Sequence, residues 1–286
     1  MNSWTIIKLL SRTEYYFSRH CIDSPRLTAE LLLAHTLDIK RIDLYLQHDR
    51  LVNKNELSNF KTLIKKRLEN QPIAYIIGEK GFYNSDFYVT KDVLIPRPDT
   101  EIIVEQALKI LNHTKKSCNV FEPGTGSGAI IISIAKEIPD NNYYANDCSF
   151  DALDIAEKNA KKIFAKTITF FCADWFSSLS ANAQFDLIIS NPPYIPSQDI
   201  AKLAPEIRKY EPLRALDGGK DGLDCFKDIL KKAYKYLVPK GVILLETGFD
   251  QKKELINIVN QYSQYKSVEF IKDFAGHNRV ALIKKI

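Results

Sequence analysis

The sequence predicts an α/β fold: a doubly wound, mostly parallel seven-stranded sheet, with a small N-terminal helical bundle and a β-hairpin connector ahead of it. Three observations carry the prediction. From residue 118 onward, short apolar runs of strand length alternate with longer segments of helical period, the pattern of a sheet layered with helices. The first run enters its helix through a glycine-rich turn, Gly124-Thr125-Gly126-Ser127-Gly128, the strand-to-helix context such turns need to bind a ligand. Residues 3–70 show helical periodicity with short breaks.

Each element has its own local reason. Ser24-Pro25 starts a helix, with serine as N-cap and proline where its missing N–H costs nothing. Leu27, Leu31 and Ala34 follow at helical spacing, with Leu32 and His35 beside them. Over 54–70, Leu57, Phe60, Ile64 and Leu68 share one stripe, with lysines opposite. The bundle ends near Gln71-Pro72, giving a helical domain over 1–72 expected to dock the substrate. Residues 73–96 are rich in aromatic and β-branched side chains, with turn signals at Gly78–Gly81 and Asn84–Asp86, and read as a hairpin connector. Pro96-Arg97-Pro98 blocks helix, and Asp99-Thr100 opens one. The third domain runs 97–286. Its candidate strands are 118–122, 142–147, 167–172, 185–190, 241–247, 266–272 and 279–285, and its candidate helices are 127–137, 150–163, 222–237 and 250–262.

Composition narrows the class. With 286 residues, 45% of them apolar and 26% charged, the chain can bury a sizeable core. Its net charge of +5 permits an anionic partner without demanding one. Residues 1–75 carry 12 Lys and Arg against 8 Asp and Glu, a mild basic excess that suggests either a docking surface or a solvated helical face. The five cysteines have no C-x-x-C spacing, so reduced thiols are expected rather than disulfides or a zinc site. Cys118, Cys148 and Cys172 lie in or beside apolar runs and are expected in the core. No signal-peptide pattern opens the chain, and its apolar runs, such as Ala129 to Ile132, are far short of the roughly 18 residues a membrane span needs. A soluble, cytoplasmic protein is expected.

The glycine turn lets backbone approach a ligand closely and directs helix N-terminal N–H groups toward it. Asp147 ends the next candidate strand, 23 positions after Gly124, where a carboxylate can hold both hydroxyls of a ribose. Asp147 with Ser149 could equally cap the following helix. Two cofactors fit the turn. Gly124-x-Gly126-x-x-Ala129 satisfies a loose dinucleotide fingerprint. S-adenosylmethionine, with a ribose and a sulfonium but no phosphates, suits the acidic surroundings that Glu122 adds. The turn alone leaves both open.

The fourth strand decides. Ser190-Asn191-Pro192-Pro193-Tyr194-Ile195-Pro196-Ser197 leaves the apolar run Phe185–Ile189 at the sheet edge where ligands of such folds bind. Two prolines end sheet pairing and stiffen the loop. The Asn191 side-chain carbonyl and the Pro192 backbone carbonyl are two rigid acceptors, matching a substrate NH₂ with two hydrogens to donate. Tyr194 offers a flat face to a planar group. Holding a delocalised nitrogen in line with an electrophilic methyl is the kind of positioning that lowers a barrier. A nicotinamide enzyme falls behind because nothing else suggests a hydride acceptor site.

With this motif the chain resembles the S-adenosylmethionine-dependent methyltransferases of class I that carry N-P-P-Y. More closely it resembles the bacterial peptide chain release factor glutamine methyltransferases, through "LIPRPDTE" (94–101), "EPGTGSGAI" (122–130), "ADWF" (173–176), "SNPPYIP" (190–196), "YEPLRALDGGKDGL" (210–223) and "LLETG" (244–248). The resemblance implies a Rossmann-like catalytic domain. It implies S-adenosyl-L-methionine as cofactor, and N5-methylation of the glutamine in the Gly-Gly-Gln motif of class I release factors. It also implies roles. Gly124, Thr125, Gly126, Ser127 and Gly128 would contact the methyl donor, Asp147 would hold its ribose, and Asp174 with Trp175 would flank its adenine. Asn191 and the Pro192 carbonyl would bind the glutamine NH₂, with Pro193 beside them and Tyr194 on the amide plane. Arg97 to Glu101 would shape the rim. Glu122-Pro123 stands where the family commonly has Asp-Leu, which leaves its contact with the donor open. Asp217–Gly222 reads as a flexible loop or a lid, and His277 as a structural or surface residue. A monomer with no metal and no membrane partner is expected. The alternative substrate is an exocyclic amino group of adenine or guanine in nucleic acid, disfavoured by the lack of a dense Lys/Arg run interleaved with aromatics.

Overall fold

A computed structural model describes residues 4–114, 117–163 and 168–286. The chain forms two compact units: Met1–Gly78 with Ala204–Tyr210, and Glu79–Leu203 with Glu211–Ile286.

The first unit is helical: α1 (Ile6–Arg19), α2 (Pro25–Leu37), α3 (Asp43–Leu46), α4 (Lys54–Leu68) and α5 (Ile73–Ile77). Ile6, Leu10, Phe17, Leu33 and Phe60 meet in its core. α2 starts at Pro25 as expected, but Ser24 adopts a left-handed conformation and its side chain caps nothing. The buried face of α2 is also displaced from the predicted stripe: Ala29, Leu32, Leu33 and Leu37 point inward while Leu27 is 40% exposed. The predicted stripe of α4 does pack on the core. A reciprocal capping box between Asn53 and Glu56 fixes its start.

Ile73–Ile77, expected at the head of the hairpin, is a short helix whose Ile76 joins the helical core. The apolar run there is buried on one side only, which suits a helical turn. Gly78 closes it in the left-handed conformation.

The hairpin itself opens the second unit: β1 (Glu79–Phe82) and β2 (Ser85–Tyr88), with Phe82 opposite Ser85. Its turn is Tyr83-Asn84, both with positive φ, the backbone a two-residue hairpin requires. After α6 (Glu101–Asn112) come β3 (Asn119–Pro123), α7 (Ala129–Glu137), β4 (Asn142–Asp147), α8 (Phe150–Ile163), β5 (Ile168–Cys172) and β6 (Phe185–Ser190). Residue 167, placed in the third candidate strand, lies outside the described residues. A short helix of the first unit, α9 (Pro205–Tyr210), precedes α10 (Asp224–Tyr236), β7 (Leu237–Glu246), α11 (Lys252–Val259), β8 (Tyr265–Lys272) and β9 (Asn278–Lys285).

The predicted fold class holds. One sheet has the order β5-β4-β3-β6-β7-β9-β8. The pairs from β5 across to β7 are parallel, and β9 is antiparallel to both neighbours. Alternate strand residues serve two cores. Val120, Leu187 and Leu244 pack with Ile103, Ile131 and Ile134 on one face. Phe121, Ile188 and Ile243 pack with Phe226, Ile229 and Leu255 on the other. Among the described residues, no helix is long and apolar enough to cross a membrane.

The chain moves outward from β3 to β5 and then returns to β3's other side as β6. The strand order therefore reverses between β3 and β6, and a crevice opens beyond their carboxyl ends. The glycine turn leaves β3 there, and Asn191-Pro192-Pro193-Tyr194 leaves β6 beside it.

Candidate active site

A cavity of about 240 Å³ lies at this crevice, and the residues lining it come from the second unit alone. Among the expected site residues, Gly124, Thr125, Gly126, Ser127, Asp147, Asp174, Trp175, Asn191 and Pro193 line it. Gly128, Pro192 and Tyr194 do not.

Backbone geometry explains the glycines. Gly124, Gly126 and Gly128 all have positive φ. A Cβ on Gly124 would meet the Trp175 indole at 3.2 Å, so the ring rests directly on the turn. Gly128 sits behind the cavity as N-cap of α7, where a Cβ would strike Ile132 at 2.6 Å. The turn is braced from outside: the Ser127 carbonyl accepts from Asn159 Nδ2 at 2.9 Å, and Asn159 also bonds the backbone of Tyr88 on β2. The Ser190 hydroxyl donates to the Pro123 carbonyl at 2.7 Å, tying the end of β6 to the end of β3.

The N–H groups of the turn are less available than the sequence suggests. Gly126 N–H donates to Asp147 Oδ2 at 2.9 Å, and Ile131 N–H, in the first turn of α7, donates to Glu122 Oε2 at 3.2 Å. Asp147 Oδ1 accepts from Ser149 N–H at 2.9 Å, while the Ser149 hydroxyl caps α8 through Ala152. Asp147 thus bridges the glycine turn and the head of α8, with further lone pairs on both oxygens toward the cavity. Glu122 is fully enclosed at the cavity wall, where burial pushes its carboxyl up to about 8 against the Thr125 hydroxyl and Ile131 N–H bonds that favour the ion. At neutral pH it holds its proton.

Trp175 has positive φ, and its carbonyl accepts from Asn146 Nδ2 at 2.5 Å. That bond fixes the Asp174-Trp175 corner over the turn.

The Asn191 side chain stands at the cavity wall with Nδ2 donating to Thr100 Oγ1 at 3.4 Å. Its carbonyl end is the one left for a ligand. Tyr194 points behind the site: its hydroxyl donates to Glu246 Oε1 at 3.3 Å, and its ring packs against the core. Arg97 lines the cavity and is held by buried Glu211 at 2.5 Å. Asp99 pairs with Arg279 at 3.0 Å, and Glu101 accepts from Tyr83 N–H at 3.1 Å. These contacts give each rim residue a partner that sequence alone could not name.

The family description "PrmC N-terminal domain" matches residues 8–78, and "Methyltransferase domain" matches residues 114–283. A release factor glutamine methyltransferase of Geobacter sulfurreducens is 39% identical over 258 residues, covering 90% of this chain and 89% of its own. Its counterpart in Chlorobaculum tepidum is 38% identical over 279 residues, covering 95% and 94%. The chain belongs to the release factor glutamine methyltransferase family. A solved methyltransferase of Pyrococcus furiosus, 22% identical with a TM-score of 0.51, covers 80% of this chain and 98% of its own, a likeness of fold.

Two expectations need correction in this family member. Asp217–Gly222, expected as a flexible loop or a lid, is tied down by backbone hydrogen bonds in this structure. It pairs with the loop after β6 through Gly218 N–H to the Ile195 carbonyl and Ser197 N–H to the Gly219 carbonyl, both at 2.9 Å. Its glycines make the approach possible, since a Cβ on Gly222 would lie 2.4 Å from the Tyr194 carbonyl. Cys148, expected in the core, is exposed and lines the cavity, as does Cys225. One bracing residue drew no notice in the sequence. Gln251 donates to the Tyr194 carbonyl at 2.9 Å and the Gly222 carbonyl at 3.1 Å while accepting from Gly248 N–H. One side chain therefore joins three loops.

Proposed function

We infer that this chain transfers a methyl group from S-adenosyl-L-methionine to the side-chain amide nitrogen of a glutamine in peptide chain release factors. The observation that carries the reading is Asn191: its amide stands at the wall of the same cavity as the glycine turn and Asp147. The acceptor for a substrate NH₂ and the elements suited to a ribosylated donor therefore share one chamber.

The cavity fits such a donor. Gly124 and Gly126 leave backbone bare on one side, and Asp147 keeps lone pairs free for ribose hydroxyls. Thr125, Ser127 and Gly128 shape the turn, and Asp174 with Trp175 forms the wall for the adenine. Neutral Glu122 avoids an uncompensated buried charge. S-adenosylmethionine supplies, when bound, an electrophilic methyl carbon.

The remaining chemistry belongs to the chain. An amide nitrogen is a weak nucleophile because its lone pair is shared with the carbonyl. Asn191 Oδ1 and the Pro192 carbonyl each accept one amide hydrogen, which favours the positive charge that grows on nitrogen and fixes its direction. Pro192 and Pro193 keep the two acceptors from turning away. Tyr194 anchors the loop from behind, and Pro193 closes the wall. The proton that nitrogen loses passes to solvent through the open mouth. We place the target glutamine in the Gly-Gly-Gln motif of class I release factors, with the helical domain of residues 1–72 as the docking surface. The chain acts there as a monomer in the cytoplasm.

The test uses labelled S-adenosylmethionine with a release factor, with its Gly-Gly-Gln glutamine→Ala variant, and with mixed nucleic acid. Label on the intact factor alone is expected. Label on nucleic acid, or on the glutamine→Ala variant, sinks the reading. Asn191→Ala should bind the donor within a few-fold of wild type while turnover drops roughly 10²-fold.

A further inference from the structure

We propose that Arg97 holds the α-carboxylate of the methyl donor, and that Glu211 is the positioning residue that aims it. The inference deepens the reading above and rests on its donor, not on its substrate.

S-adenosylmethionine ends in an amino acid, so a chamber that encloses it must meet a carboxylate as well as a ribose. A carboxylate taken out of water needs a charged or hydrogen-bonding partner. Among the described residues lining the cavity, two carry a fixed positive charge, Arg97 and Arg214. Their positions separate them. The Arg97 carbonyl accepts from Thr100 N–H at 3.1 Å, and Thr100 Oγ1 accepts from Asn191 Nδ2 at 3.4 Å. Arg97 therefore stands at the Asn191 end of the chamber. Arg214 is exposed and also borders an open basin lined by Asp217 and Asp224, with carboxylates of this chain for neighbours. The donor's sulfur carries three groups. Its methyl must face the nitrogen that Asn191 holds, and its ribose belongs with Asp147 on β4, across the glycine turn from β6. The amino-acid tail takes the direction that remains, away from Asp147, where Arg97 is the cation.

Glu211 fixes the guanidinium. Its carboxylate is 1% exposed, its Oε1 accepts from Arg97 Nη2 at 2.5 Å, and its Oε2 accepts from Ile95 N–H at 3.3 Å. One carboxylate thus pins both the Arg97 side chain and the backbone two residues ahead of it. A guanidinium carries five N–H groups in a planar fork. Glu211 engages it at Nη2, while Nε and Nη1 make no hydrogen bond among the described residues. Held on one side by an enclosed anion, the fork can take a second carboxylate on another edge without swinging. A lysine in its place would offer one ammonium to two carboxylates and hold neither in the same geometry. An arginine that only shaped the cavity wall would not distinguish ligands by their carboxylate.

The experiment measures binding by calorimetry with two probes: S-adenosylmethionine, and its decarboxylated form, which keeps the sulfonium and the ammonium and lacks only the carboxylate. Thermal melts confirm that each variant is folded. Wild type should bind the full donor roughly ten-fold or more tighter than the decarboxylated one. Arg97→Met should narrow that gap to about three-fold or less, weakening the full donor and sparing the other. Glu211→Gln and Arg97→Lys should each narrow it in part. In release factor methylation, Arg97→Met should raise the donor KM while kcat at saturating donor stays within about three-fold. A wild type without the gap overturns the assignment of Arg97. So does a folded Arg97→Met that keeps the gap, or that loses both probes equally, and so does a gap that closes in Arg214→Met instead. A gap of wild-type width in Glu211→Gln overturns the positioning role. Should Glu211→Gln fail to fold, Arg97→Lys decides that role, and a gap of wild-type width there overturns it. Wild type that binds neither probe sinks the donor reading and this inference together. An Arg97-dependent gap in a chain that methylates no release factor sinks the substrate reading alone and upholds this inference.

Discussion

Glu122 and Glu246 keep protons that exposed glutamates would lose, and the cost is readable in stability. Burial raises Glu122 to about 8 and Glu246 to about 7, against an ordinary 4.5. As pH rises from about 4.5, the unfolded chain releases these protons while the folded chain holds them. The unfolded state then binds fewer protons, so stability falls until the folded values are passed. Urea midpoints should therefore decline between about pH 5 and 8, and the decline should be shallower in Glu122→Gln. An equal slope in that variant would show that Glu122 ionises freely. At Gly124 the backbone has φ +73 and the Trp175 ring stands where a Cβ would go. Gly124→Ala should cost roughly 1–2 kcal/mol in denaturant melts and weaken donor binding. Asn191 was legible in the sequence because two prolines that cut off an apolar strand do little for a core and much for a rigid loop. Thr100, Asn159 and Glu246 were not, since each is one polar residue in an ordinary helical or strand context. Only the fold brings residue 100 beside 191 and residue 246 beside 194.

Among elements, the loop after β6 shows why spacing alone misleads. Asp217–Gly222 looks mobile because three glycines favour flexibility in isolation. In the protein they permit contact: Gly218 faces the Tyr194 Cα, and Gly222 has φ +74 against the Tyr194 carbonyl. Gln251 holds the junction from α11's N-cap. Gln251→Ala leaves two buried carbonyls without a donor and should cost roughly 1–3 kcal/mol. Its kcat should fall while donor affinity holds; a change in stability with kcat intact would show that the junction braces the fold but not the site. Likewise, of the two turn signals read at Gly78–Gly81 and Asn84–Asp86, only the second touches the hairpin turn. Gly78 is a helix C-cap and Gly81 lies within β1, and the turn falls on Tyr83-Asn84, where asparagine tolerates positive φ but tyrosine gave no warning.

For the whole molecule, strand-helix alternation was enough to read the sheet's class, because buried parallel strands are continuous apolar runs. The placement of β9 between β7 and β8 was not legible, since no local residue records which edge a returning strand inserts into. That placement has a consequence for biogenesis. Synthesis runs from the amino end, yet Asn278–Lys285, made after every other strand of the sheet, fills an interior slot. The helical unit likewise incorporates Ala204–Tyr210, made long after its own helices. The helical unit cannot be finished before residue 210 is made, nor the sheet before residue 285, so a nascent chain stalled before residue 278 should remain protease-sensitive throughout its catalytic half.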